Sequence, residues 1–226
     1  MTSEEVLSSE EPPSNGFRSC YDKLRKAVGN IPMDSSKSEK IQNLSSGKIS
    51  EILPNLYLSG RTVSQNCDLL KEKNIKTVIN VSDREVMNYE ENHPFVKNYR
   101  FYSMSDTANS SFDGIIEEAV RLIHETRVRG EAVLVHCFLG VSRSATLVAF
   151  YLISAYGINW RDAVDYIRHR RFSANPNFGF LHQLKLYFNT KSKEFRLELT
   201  SQQCLKMRES DRDVIKKYLP FAVIEL

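Results

Sequence analysis

The run Val135-His136-Cys137-Phe138-Leu139-Gly140-Val141-Ser142-Arg143-Ser144-Ala145 gathers a cysteine, an arginine, a glycine and two hydroxyls into one short segment. The apolar stretch Ala132–Val135 before it reads as a buried strand, and Ala145–Tyr156 after it reads as an apolar helix. A cysteine at such a junction lies under backbone N–H groups and at a helix N-terminus. Both features attract a dianion and favour thiolate over thiol. Gly140 lets the backbone approach that anion closely, and Arg143 supplies a planar fork that matches two phosphate oxygens. The chemistry implied is attack of the Cys137 sulfur on a phosphoester. Phe138, Leu139, Gly140, Val141, Ser142 and Arg143 form the substrate-binding loop. A nucleotide-binding Gly-Lys-Ser/Thr sequence is missing, so the loop is not read as a nucleotide site.

Several elements must position this loop. Ile52–Gly60 reads as an entry turn followed by a strand ended by glycine, Thr77–Val81 as a buried β-branched strand, and Tyr99–Met104 as a further strand. Ile116, Val120 and Ile123 recur at helical spacing within Asp113–Arg129, with Gly130 suited to end that helix. Asn159 caps the next helix, and Asn177–Phe188 forms another. Cys67, Leu69, Leu70 and Ile75 read as a short helix and its exit, with Cys67 in the core. Strands alternating with helices imply an α/β fold with a mostly parallel central sheet covered by helices on both faces. In such sheets anion sites lie beyond the carboxyl ends of strands, which is where the Cys137 loop falls.

The domain organisation follows from composition. Residues 1–48 are rich in serine, balanced in charge and read as a mobile polar arm. Within them, Arg25-Lys26 followed by Ile31-Pro32-Met33 has the form of a kinase docking peptide, against the alternative of a plain linker. Residues 49–190 form the catalytic domain. Residues 191–226 form a charged, partly helical extension, with Ser210 capping a helix and Asp213 reaching back to it.

His-Cys-x5-Arg-Ser resembles the signature of cysteine-dependent phosphatases, and the Val-Ser-Arg-Ser-Ala ending resembles their dual-specificity branch. Ser173-Ala174-Asn175-Pro176-Asn177-Phe178-Gly179-Phe180 is similar to the atypical small members related to the JNK-stimulatory phosphatase. The resemblance covers about residues 50–190 and implies the cysteine-dependent protein phosphatase fold. It assigns Cys137 as nucleophile and Arg143 as the ligand of the equatorial phosphate oxygens. Asp106 becomes the general acid on a separate loop, with Asp83 and Asp113 as alternatives. Ser144 donates to the sulfur and eases its departure. His136 and Asn175 support the loop, His136 by bonding its backbone and tuning the thiolate. Relatives that act on inositol phospholipids carry lysines in this loop. Uncharged Phe138, Leu139 and Val141 therefore point to phosphoprotein substrates, and a short domain implies a site shallow enough for phosphotyrosine, phosphoserine and phosphothreonine. The expected setting is MAP kinase or JNK signalling. Competing readings are a phospho-binding scaffold and a phosphatase of RNA 5′ ends or glucan.

Composition sets the outer bounds. With 41% hydrophobic residues, 26% charged residues and a net charge of +3, the 226-residue chain reads as an ordinary globular protein, with no case for nucleic-acid binding. Cys20, Cys67, Cys137 and Cys204 are scattered, and neither a secretory signal nor a membrane-spanning run is evident. A reducing cytoplasmic or nuclear compartment is expected. Thr2 stands where N-myristoylation needs glycine, so a stable membrane anchor is not expected. Neither a metal nor another cofactor is expected, since His136 and Cys137 are adjacent and no ligand pair has suitable spacing. The basic run Arg168-His169-Arg170-Arg171 is a candidate receiver of a second phosphate.

Overall fold

A computed structural model describes residues 47–85, 89–199 and 205–225. In chain order it has β1 (Ser50–Leu53), β2 (Leu56–Gly60), α1 (Arg61–Ser64), α2 (Cys67–Glu72), β3 (Ile75–Ser82), α3 (Tyr89–Asn92) and β4 (Asn98–Ser103). There follow α4 (Ile116–Val128), β5 (Ala132–Cys137), α5 (Arg143–Tyr156), α6 (Trp160–Arg170), α7 (Phe178–Thr190), α8 (Ser192–Leu199) and α9 (Leu205–Tyr218). Most of the polar arm, including the docking-like Arg25-Lys26 and Ile31-Pro32-Met33, lies outside the described residues.

The strands form one sheet in the order β1-β2-β5-β3-β4. β2, β5, β3 and β4 run parallel, and β1 pairs antiparallel with β2 at the edge. Every residue of β5 is buried, as a central parallel strand covered on both faces requires. Its side chains alternate between two cores. Val133 and Val135 join the larger core, with β2, α4, α5, α6 and α7. Ala132 and Leu134 join the smaller one, with Val63 of α1, Leu70 of α2, and Ile75 and Val78 of β3. Full burial of each such aliphatic side chain stabilises the sheet by roughly 1.5–3 kcal/mol. All fourteen residues of α5 are buried, so the helix that follows the loop is the axis of the larger core. It ends at Gly157 in the left-handed conformation, whose N–H reaches the Ile153 carbonyl.

The structure differs from the sequence reading in several places. Ile52 and Leu53 belong to β1, which turns into β2 through Asn55 at φ 63°, where Asn is one of the few residues to sit readily. Cys67 opens α2 behind the Asn66 cap and is only half-buried. The helix after the Asp106 loop starts at Ile116 rather than Asp113, because Ser111 and Asp113 are tied to one another in the preceding turn. Ser210 does not cap a helix: α9 begins at Leu205 and runs straight through it. The reason is burial of the next residue, Asp211, whose carboxylate is held by Arg127 of α4.

Candidate active site

The last residue of β5 is Cys137, level with Gly60 at the end of β2. Residues 138–142 then curl back before α5 starts at Arg143. The curl depends on Gly140, at φ +70°. A Cβ there would lie 2.5 Å from the Ser59 carbonyl carbon and oxygen and 2.6 Å from an Arg171 nitrogen. Both conformation and space therefore demand glycine. The turn aims the Gly140 N–H at the Cys137 Sγ, 3.2 Å away. The Ser144 hydroxyl, from the first turn of α5, donates to the same sulfur at 3.2 Å. Two donors thus converge on one sulfur.

Arg143 is buried and only partly engaged. Its Nη1 donates to the Met104 carbonyl at 2.9 Å and stands 3.5 Å from Asp83 Oδ1. Its Nε has no hydrogen-bond acceptor; the Asp106 Oδ2 atom is 3.5 Å away. Asp106 is held from the other side. Its Oδ1 accepts from the Ser142 hydroxyl at 2.7 Å and from the Asn177 side-chain amide at 2.9 Å. The Asn177 backbone N–H in turn donates to Ser142 Oγ at 3.1 Å, while its side-chain oxygen caps α7 through the Phe180 N–H. Ser142 thus has its hydroxyl turned to Asp106. Asn177, not anticipated from the sequence, ties three segments together at one point.

The structure brings Cys137, Arg143, Asp106, Ser144 and the loop residues into one site, with His136 and Asn175 behind it. The Asn175 N–H donates to the Val141 carbonyl at 2.8 Å. His136 is fully buried, and its Nδ1 lies 3.3 Å from the Cys137 carbonyl. Burial pushes its pKa down to about 4 against the opposing hydrogen bond, so the ring is neutral at physiological pH. Phe138 is half-exposed at the mouth, its ring beneath the Arg61 guanidinium at 5.0 Å. Leu139 and Val141 are half-buried. Asp113 faces Ser111 instead of the site.

The basic run 168–171 does a different job from the one expected. Arg171 is buried and donates to the carbonyls of Gly140 at 2.7 Å, Leu139 at 3.2 Å and Lys48 at 3.0 Å. With these carbonyls held by Arg171, the Gly140 N–H faces the sulfur. Arg170 donates to the Glu51 carbonyl and the Tyr218 hydroxyl, and His169 lies against the same Tyr218 ring. Arg168 engages Asp165, the Ala174 carbonyl and Asn175. The three arginines of this run are thus each tied to other segments of the fold, while His169 stays exposed. Arginines at a helix end look alike in sequence whether they face solvent or a carbonyl, so the local signal could not separate the two roles.

Cys137, Arg143, Asp83, Ser82, Phe138, Arg61 and Arg84 line an open cleft of about 330 Å³. Among the described residues no group of three or more His, Cys, Asp or Glu side chains could hold a metal ion.

The sequence pattern described as "Dual specificity phosphatase, catalytic domain" matches residues 56–190. The chain belongs to this family and is a dual specificity protein phosphatase, of the atypical small kind. Mouse dual specificity protein phosphatase 22 is 31% identical over 150 residues, covering 66% of this chain and 78% of that protein. Mouse dual specificity protein phosphatase 15 is 32% identical over 153 residues, covering 67% and 62%. The crystal structure of DUSP15 superposes with a TM-score of 0.61 at 30% identity, over 67% of this chain and 94% of that one. The human tyrosine phosphatase-like serine/threonine/tyrosine-interacting protein gives 0.54 at 30% identity, over 62% and 94%.

Proposed function

We propose that the protein hydrolyses phosphotyrosine and phosphoserine or phosphothreonine in proteins through a phosphocysteine on Cys137. The observation that carries this reading is the pairing of a doubly hydrogen-bonded sulfur with a buried arginine whose Nε lacks an acceptor. The Cys137 thiolate attacks phosphorus, and the bond from phosphorus to the substrate oxygen breaks. Asp106 gives its proton to that oxygen as the dephosphorylated side chain leaves. Water then attacks the phosphocysteine, Asp106 takes back a proton, and inorganic phosphate departs. Ser144 stabilises the returning thiolate. Arg143 binds the equatorial oxygens in both steps, and its advantage grows as charge shifts during transfer. His136 and Asn175 support the loop from behind.

Cys137→Ser is expected to abolish turnover while retaining phosphopeptide binding; ordinary turnover in that variant would remove Cys137 from the mechanism. A phospho-binding scaffold is the second reading, favoured by the likeness to a phosphatase-like interacting protein. It predicts phosphopeptide binding by the wild type without phosphate release. On the family resemblance we assign the enzyme to MAP kinase or JNK signalling, in the cytoplasm and nucleus. Trapping from lysate with Cys137→Ser/Asp106→Ala, followed by identification of the bound phosphoproteins, tests that assignment; absence of any member of these cascades overturns it. Among the described residues no helix is long and apolar enough to cross a membrane.

A further inference from the structure

The arginines of 168–171 donate to other segments of the fold, and different arginines line the cleft itself. Arg61 and Arg84 line the same cleft as Cys137 and Arg143, and both are exposed. Their backbones are anchored. The Arg61 N–H donates to the Phe138 carbonyl at 3.0 Å, directly beside the nucleophile. The Arg84 carbonyl accepts from the Ser82 hydroxyl at 2.6 Å and the Asn80 amide at 3.3 Å. No carboxylate of the described residues pairs with either guanidinium. Arg61 lies over the Phe138 ring at 5.0 Å, a cation–π contact that holds the guanidinium at the mouth of the cleft. Among the described residues the one carboxylate lining the cleft is Asp83, and it faces Arg143 at 3.5 Å.

We infer that Arg61 and Arg84 form an anion-reading rim that selects phosphopeptides carrying a negatively charged side chain next to the scissile phosphoresidue. This rests on the phosphatase reading above, since the floor of the cleft must hold the phosphoresidue for the rim to meet its neighbours. A carboxylate and a second phosphate share the chemistry an arginine reads, a planar or tetrahedral set of acceptor oxygens. Because both arginines are exposed, the attraction is screened by salt and modest for each residue.

The test compares three phosphotyrosine peptides of one sequence, flanked by alanine, by glutamate or by phosphothreonine. Affinity is read in the Cys137→Ser chain, and kcat/KM in the active chain. The charged flanks are expected to bind about five-fold more tightly than alanine at low ionic strength, with the advantage fading as salt rises. A larger gain for phosphothreonine marks a second phosphate as the preferred source, and equal gains mark simple acidity. Arg84→Gln and Arg61→Gln should each shrink the charged-to-neutral ratio, and Arg61→Lys should restore much of it. A ratio near one in the wild type, or a ratio untouched by both glutamine variants, overturns the rim. Affinity is read without turnover, so absence of the flank preference in a wild-type chain that hydrolyses normally rejects the rim alone. Loss of hydrolysis with the preference retained rejects the mechanism alone.

Discussion

Arg143 and Arg127 are both buried, at 7% and 3% exposure, yet they are held in opposite ways. Arg127 is saturated. It donates to both Asp211 oxygens at 2.8 and 2.9 Å, to the Pro54 carbonyl at 2.8 Å, and to the Tyr151 and Tyr156 hydroxyls at 2.7 and 3.1 Å. Tyr156, kept well above the ordinary phenol range by burial, remains a donor and bonds the same carboxylate. Arg143 has one good acceptor, two carboxylates at 3.5 Å and an Nε with no acceptor at all. A buried donor left unmade is costly, and a fold keeps one where a ligand is to complete it. Arg127 closes the structure by clasping α9 to α4, whereas Arg143 keeps an Nε donor that no acceptor among the described residues fills.

The largest effect expected on this contrast is catalytic. Arg143→Ala should lower kcat/KM for a phosphotyrosine peptide by about 10³-fold or more with little change in the urea midpoint, and Arg143→Lys should recover only part, lacking the fork. A comparable loss of stability would place Arg143 with Arg127 as a structural residue.

Arg127→Met should do the reverse. It strands the Asp211 carboxylate at 1% exposure and is expected to destabilise the fold by about 3–5 kcal/mol in urea unfolding. The folded fraction should keep its activity. Adding Asp211→Leu should recover most of the lost stability, because the stranded charge goes with it. If the double variant is no better than the single, the pair is not the source of the cost.

Asp106→Asn should slow a phosphopeptide by about 10²-fold, and aryl phosphates with good leaving groups much less. Equal slowing of both would point to another acid. The smallest effect is one of pH on stability. The folded-state pKa of His136, about 4, lies below its ordinary value of 6.5. Between those values the unfolded chain binds a proton that the folded one does not. Its contribution is therefore present above pH 6.5 and lost as pH falls toward 4, on the order of 1 kcal/mol of it by pH 5.5. His136→Asn should remove that part of the pH slope in unfolding measurements.

How far the sequence could be read depends on the range of the contacts involved. β5 and α5 were plain from their unbroken apolar runs, since full burial leaves a compositional mark. β1 was missed because Ser50-Glu51-Ile52-Leu53 is short and lies at the sheet edge, with Glu51 exposed. Asp106 could be proposed because it sits in a polar loop between a strand and a helix. Its partner Asn177 read only as the start of a helix, and nothing nearby in sequence shows what its amide would meet. Arg171 and Asp211 looked like members of a charged helix end and a charged tail. Their burial arises from carbonyls and a guanidinium supplied by distant segments.

The sequence by itself determined the reaction. Cys137, Gly140, Arg143 and Ser144 lie within one loop and one helical turn, so local geometry alone brings a sulfur, two donors and a guanidinium together. Only the tertiary structure decided what braces that loop, which cations remain open to substrate, and how the C-terminal helix is held. Gly140 meets Arg171, Ser142 meets Asn177 and Arg127 meets Asp211 across separations of 31, 35 and 84 residues. Such contacts form when packed elements bring distant groups together, and neither spacing nor periodicity along the chain encodes them.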